Sequence, residues 1–115
     1  MSRAQRDRGA RGELEVVQIL QEAGWPARRG FASGGGTGPG GDIEGGPVGY
    51  TLEVKRTNRL QFYAALEQAE TAAAPGERAI VAFRRDHDSW CAGLRLQTLV
   101  DLLALEASTR TGEKS

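Results

Sequence analysis

The stretch Gly41-Asp42-Ile43-Glu44-Gly45-Gly46-Pro47-Val48-Gly49-Tyr50-Thr51-Leu52-Glu53-Val54-Lys55 decides the reading of this chain. Asp42–Glu44 and Val48–Lys55 read as two short strands joined by a Gly-Gly-Pro turn. In the second, Tyr50, Leu52 and Val54 alternate with Thr51, Glu53 and Lys55. The apolar set is expected on the core, which sends Glu53 and Lys55 to the opposite face. A hairpin register would bring Asp42 beside Glu53. Two carboxylates that close repel unless a cation or a lysine neutralises them.

Outward from this hairpin the elements alternate. Gly12–Ala23 is expected as a helix with a stripe of Val16, Val17 and Leu20, stopped by Gly24. Glu13 stands at the amino end of that stripe, an odd place for a merely solvated acid. Pro26–Arg29 reads as extended, and Ser33–Gly41 as a loop of Gly, Ser, Thr and Pro. Leu60–Ala74 is a second helix, with Phe62, Leu66, Ala69 and Ala73 at helical spacing and Pro75-Gly76 at its end. Ala79–Phe83 is continuously apolar, the mark of a buried strand. Ser89–Ala92 is a shorter strand. Gln97–Glu106 is a last helix with Leu96, Leu99, Val100 and Leu103 on one side. The order αβββαββα predicts an α/β fold, a mixed sheet flanked by helices. Residues 1–107 are expected to form a single domain and 108–115 a flexible tail.

Composition narrows the function. The 115 residues carry 15 basic and 15 acidic side chains and no net charge, which argues against a polycationic binder that works by bulk charge. The balance is uneven along the chain. Residues 1–59 hold nine basic and seven acidic side chains, and residues 60–115 hold six and eight. Arg3, Arg6, Arg8 and Arg11 crowd the start, and Arg28, Arg29, Arg56 and Arg59 flank the acidic residues, a plausible surface for tracking phosphates. No motif points to base readout, so shape and backbone are the expected cues. Surface arginine from compositional bias accounts for Arg84 and Arg85. The one cysteine, Cys91, excludes an intrachain disulfide and a cysteine-based zinc site. No run of ~18 apolar residues predicts a membrane span, and no secretory signal opens the chain. An intracellular, cytoplasmic protein is expected.

The chemistry points to Glu13, Asp42, Glu53 and Lys55. Mg²⁺ takes hard oxygen ligands, typically one or two carboxylates with water and substrate phosphate. Such an ion lowers the pKa of bound water and stabilises charge on a phosphodiester. Lys55 would orient or deprotonate that water, or stabilise the transition-state charge; these roles stay open. Glu and Lys also alternate on strands merely for solubility. His87 lies in a charged turn, Asp86-His87-Asp88, without a second histidine, and is not read as a ligand. Trp25, Trp90 and Phe83 read as core or dimer contacts. The glycine loop lacks Gly-Lys-Ser/Thr and precedes a strand, so it is not a phosphate-binding P-loop.

These residues resemble the PD-(D/E)XK nucleases, and among them the archaeal-type Holliday junction resolvases, phage-encoded variants included. The similarity spans about Gly9 to Phe83. Gly9-Ala10-Arg11-Gly12-Glu13 is similar to the family's G-xxx-E opening, with Gly24-Trp25 following. Arg29-Gly30-Phe31-Ala32-Ser33-Gly34 is similar to its R-xxx-S-G segment. Gly41-Asp42-Ile43 stands for P-D-I, and Glu53-Val54-Lys55 for E-x-K. Tyr63, Gln68, Ala69 and Glu70 match its Y-xxxx-Q-A-E helix. Gly41 replaces the usual proline, and the interval from Asp42 to Glu53 is short. The resemblance implies a restriction-endonuclease-like fold and metal binding by Asp42, Glu53 and the Val54 carbonyl. It implies a role for Glu13 at the metal, Gln68 as a support, and Ser33 near the scissile phosphate. It further implies an Mg²⁺-dependent endodeoxyribonuclease, with Mn²⁺ as a substitute, that makes paired nicks in four-way DNA junctions as a homodimer. Another nuclease on the same fold, for repair or restriction, and a non-catalytic DNA-binding module are the alternatives.

Overall fold

A computed structural model describes residues 2–30 and 41–113; Ser33 and the rest of segment 31–40 lie outside the described residues. The element order is α1 (Arg3–Glu22), β1 (Arg28–Arg29), β2 (Ile43–Glu44), β3 (Tyr50–Arg56), α2 (Phe62–Ala72), β4 (Arg78–Arg84), β5 (Cys91–Gly93) and α3 (Leu96–Glu113). This is the expected αβββαββα order. β3 and β4 run parallel, joined through α2, and β5 lies antiparallel on β4.

Both faces of β3 are covered. Leu52, Val54 and Ala82 pack with Val16 and Val17 of α1. Val81, which stands beside Glu53 in register, packs with Ala65, Leu66 and Ala69 of α2. Glu53 does project from the face opposite Leu52 and Val54, but that face is covered too, and Glu53 keeps only 4% of its surface. A buried carboxylate needs a partner, which a solvated one does not.

The expected hairpin does not form as a ladder. β2 pairs antiparallel with β1, Arg29 opposite Ile43, and not with β3. Pro47 and Gly49 turn the chain too sharply: the Tyr50 N–H donates to the Pro47 carbonyl, and Gly49 sits at φ +90°. Val48 is thrown out, 97% exposed. Asp42 still reaches β3, through its own N–H to the Leu52 carbonyl at 2.9 Å. Gly30 donates to the Asp42 carbonyl at 2.7 Å. These contacts are close enough to demand glycine beside them. A Cβ at Gly41 would lie 2.5 Å from the Leu52 carbonyl oxygen. The residue that departs from the resembled motif is thus the one that lets Asp42 approach.

Both terminal helices run longer than expected. α1 starts at Arg3, where Ser2 and Gln5 form a reciprocal capping box. α3 continues from the predicted end at Glu106 to Glu113, through residues expected as a tail. Its apolar stripe is turned outward, with Leu96, Leu99, Val100 and Leu103 exposed. Thr98, Asp101 and Leu102 are half-buried on the other side, where Asp101 pairs with Arg78 at 3.3 Å. No helix among the described residues is long and apolar enough to cross a membrane.

Two glycines in the same chain should respond oppositely to a methyl group. Gly41→Ala should cost about 1–3 kcal/mol through the backbone clash. Gly9→Ala, in α1 with nothing within 4 Å of its Cβ, should stabilise by about 0.5–1 kcal/mol. Chemical denaturation of both variants measures this directly.

Candidate active site

Three elements bring the acidic residues together. Glu13 comes from α1, Asp42 from the segment before β2, and Glu53 from β3. Asp42 is the hub. Its Oδ2 accepts the Val54 N–H at 2.7 Å, and its carboxyl stands within hydrogen-bonding reach of both Glu13 and Glu53. The strand backbone thus fixes the one carboxylate that the other two must meet.

The electrostatics follow from that crowding. Burial, then the charge of Asp42, pushes Glu53 up to about 8, against a partial offset from Lys55. Burial, then Asp42, pushes Glu13 up to about 7, against the opposing pull of Arg29. Arg29 grips Glu13 with Nη2 at 2.8 Å and Nε at 3.0 Å from Oε1. Lys55 Nζ lies 3.8 Å from Glu53 Oε1, an ion pair longer than a hydrogen bond. The cluster holds more negative charge than its two cations neutralise, so it carries protons near neutrality.

Among the described residues no three His, Cys, Asp or Glu side chains converge into a ready metal cage. Glu13 is engaged by Arg29 as well as by Asp42. The donors nevertheless fit a hard divalent cation. They are carboxylate oxygens, they are short of compensating charge, and Val54 brings main-chain groups beside Asp42.

The other expected residues are dispersed. Gln68 is exposed on α2, and its side chain has no hydrogen bond to another described residue. Arg28 pairs with Glu44 at 3.1 Å. Arg3, Arg6, Arg8, Arg11 and Arg59 are exposed, and Arg56 is half-buried, 3.7 Å from Asp86. Sequence reasoning missed two partners. Arg29, taken only for a DNA contact, is the counter-ion of Glu13. Arg84, ascribed to bias, is fixed by Glu15 at 3.0 Å and lies over the Trp90 ring at 5.7 Å. Trp90 Nε1 donates to the same Glu15 oxygen. The signal for Arg84 was its place one residue past the apolar run of β4, level with Arg56 in the parallel register.

The raised carboxyls imply a pH dependence of known sign. A carboxyl whose folded pKa exceeds its unfolded value stabilises the fold below the unfolded pKa and loses that contribution as pH rises through the folded one. Without divalent cations, the melting temperature should therefore fall as pH rises from about 4.5 to about 8. Glu53→Gln should flatten that fall, a difference that calorimetry in chelator-treated buffer would resolve.

A sequence model of the archaeal Holliday junction resolvase (hjc) family matches residues 4–92. A solved structure, the Holliday junction resolvase Hjc of Archaeoglobus fulgidus, an archaeal hyperthermophile, is similar at 26% identity. The likeness covers 73% of each chain with a TM-score of 0.52. No curated protein matches. The match takes in α1, the Asp42 segment, β3, α2 and β4, the elements that build the acidic cluster. The chain belongs to the archaeal Holliday junction resolvase family.

Proposed function

We propose that the protein is a metal-dependent endodeoxyribonuclease that resolves four-way DNA junctions by paired nicks. The observation that carries this reading is the gathering of Glu13 and Glu53 around Asp42, with Lys55 beside Glu53, in a chain of this family. Asp42, Glu53 and the Val54 carbonyl would hold the cation, Mg²⁺ or Mn²⁺ in its place, with Glu13 completing the site. The bound ion supplies Lewis acidity for water activation and for charge on the phosphodiester.

The chain's own groups define the rest. The Val54 N–H holds the Asp42 carboxyl in place by donating to its Oδ2. Lys55, one-third exposed beside Glu53, is placed to orient water or to stabilise charge on the phosphate. Arg29 holds Glu13 and exchanges that grip for phosphate contact when substrate enters. Ser33 and Gln68 belong to this proposal as substrate-proximal and supporting residues. The substrate is branched double-stranded DNA and the setting intracellular.

Paired nicks need two active sites, and a two-fold homodimer provides them. The outward stripe of α3 supports a second copy as its occupant. Leu96, Leu99, Val100 and Leu103 recur at helix–helix contact spacing, stand exposed and belong to neither core cluster among the described residues. Leu99→Asp with Leu103→Asp should convert a dimer to a monomer in analytical ultracentrifugation and reduce paired nicks to single ones. A wild-type monomer would contradict this part of the reading.

The activity itself is tested with a mobile four-way junction, a matched duplex and a flap, in Mg²⁺ or EDTA. Paired nicks in the junction alone, reduced more than ~100-fold by Asp42→Asn, are the expected result. Equal cutting of the duplex would indicate a different nuclease on this fold. Junction binding without cleavage in either Mg²⁺ or Mn²⁺ would indicate a non-catalytic module.

A further inference from the structure

A second charged feature lies just beyond the acidic cluster. Arg8, Arg11, Arg56, Arg84, Asp86 and His87 line an open hollow of about 420 Å³. Its four guanidinium groups come from α1, from the end of β3 and from the end of β4. Gly12 helps draw them together: a Cβ there would lie 3.1 Å from the Arg56 Cβ, a tight contact that would press α1 away from β3. Parallel register then sets Arg84 beside Arg56.

Gathering four arginines costs repulsion, and the wall opposite supplies little relief. Arg84 is spoken for: Glu15 holds its Nε, and the Asp88 carbonyl accepts from Nη1 at 3.2 Å. It acts as a rigid positive floor against Trp90. Arg56 is left underserved. Its Nε is buried without a hydrogen-bond partner among the described residues, and its Nη2 reaches Asp86 only at 3.7 Å. Asp86 is itself held by Asn58, through Nδ2 to Oδ2 at 3.1 Å and its own N–H to Oδ1 at 2.8 Å. Arg8 and Arg11 stand exposed at the mouth with His87, which the turn holds at φ +65°. Two exposed guanidinium groups at the mouth, above a half-buried Arg56 whose contact with Asp86 is longer than a hydrogen bond, match an anion with several oxygens.

We propose that this hollow binds a backbone phosphate of the DNA strand, a few nucleotides from the phosphate cleaved. The proposal rests on the nuclease reading above and adds to it a second phosphate site. Arg56 follows Glu53 by three residues, on the order of 10 Å at ~3.3 Å per residue. One DNA strand advances ~3.4 Å along the axis per phosphate. A strand whose scissile phosphate lies at the carboxylates therefore carries another phosphate to the hollow. Such a site fixes the register of the DNA without reading its sequence.

The test is binding of the full-length protein to labelled junction and duplex in EDTA, by fluorescence anisotropy over a range of salt. Arg8→Gln with Arg11→Gln is compared with Arg95→Gln and Arg110→Gln, an equal loss of charge just before and within α3. The rim variant should weaken binding at least tenfold and lower the salt slope by about 1.8, two phosphate contacts at ~0.9 each. The α3 variant should change affinity less than threefold. Equal losses in both variants overturn the proposal in favour of bulk charge. Inorganic phosphate provides the second arm. A tryptophan-fluorescence change with submillimolar phosphate that Trp90→Phe abolishes, with DNA binding insensitive to the rim variant, overturns it in favour of a free-phosphate site. Junction cleavage by wild type with no rim effect sinks the second site and leaves the nuclease reading. Rim-dependent binding without cleavage does the reverse.

Discussion

Asp42 is tied to β3 twice, by its N–H to the Leu52 carbonyl and by its carboxylate to the Val54 N–H. Each bond is individually modest, about 1 kcal/mol net and up to ~3 where a charge is involved. Their importance is positional. They lock a carboxylate from outside the three-stranded sheet against its edge strand β3, at the point where Glu53 is buried and where α1 delivers Glu13. The rest serves that approach. Gly30 and Gly41 remove the Cβ atoms that would hold the segments apart. The β1–β2 ladder steadies the chain on either side of segment 31–40. α1 and α2 seal the two faces of β3, which makes the site dry enough to lift two carboxyl pKa values.

That lift is the chemical content of the fold. A solvated cluster of three acids would simply ionise and repel. Here burial and mutual charge keep protons on Glu13 and Glu53 near neutrality, and Arg29 and Lys55 compensate only in part. Such a site is poised for a cation that replaces the protons. The same strand continues into Arg56, so the charge reverses within a few residues: acidic where the reaction is proposed, basic where the backbone of the substrate is proposed to rest. The net neutrality of the chain conceals this alternation.

Much of this was legible in the sequence because its signals are local. Alternation from Tyr50 to Lys55, the apolar run of β4 and the proline-glycine stop after α2 each reflect one element's own packing. The acidic residues were picked out by their positions in the pattern together with the motif resemblance. Contacts set by tertiary pairing were not. Nothing in Val48–Lys55 shows that its polar face would be covered, because α2 covers it from another part of the chain. The turn at Pro47-Val48-Gly49 broke the expected hairpin, and the ladder passed to β1, a pair of arginines with little strand character. Arg84 became informative only once the parallel register set it beside Arg56. The early start of α1 was readable after all, since Ser2-Arg3-Ala4-Gln5 has the spacing of a capping box. The stripe on α3 was seen and its direction was not, because periodicity marks a face without saying what it meets.

The central claim is that buried, proton-bearing carboxyls around Asp42 form a divalent-cation site. Isothermal titration of the protein with Mg²⁺ at pH 7, in two buffers of different ionisation enthalpy, tests it most directly. Metal binding to such a site must release protons. The account predicts heats that differ between the buffers, a proton release that disappears above pH 9, and its reduction in Glu53→Gln. Binding heats identical in both buffers at pH 7, or no binding at millimolar Mg²⁺, would contradict it.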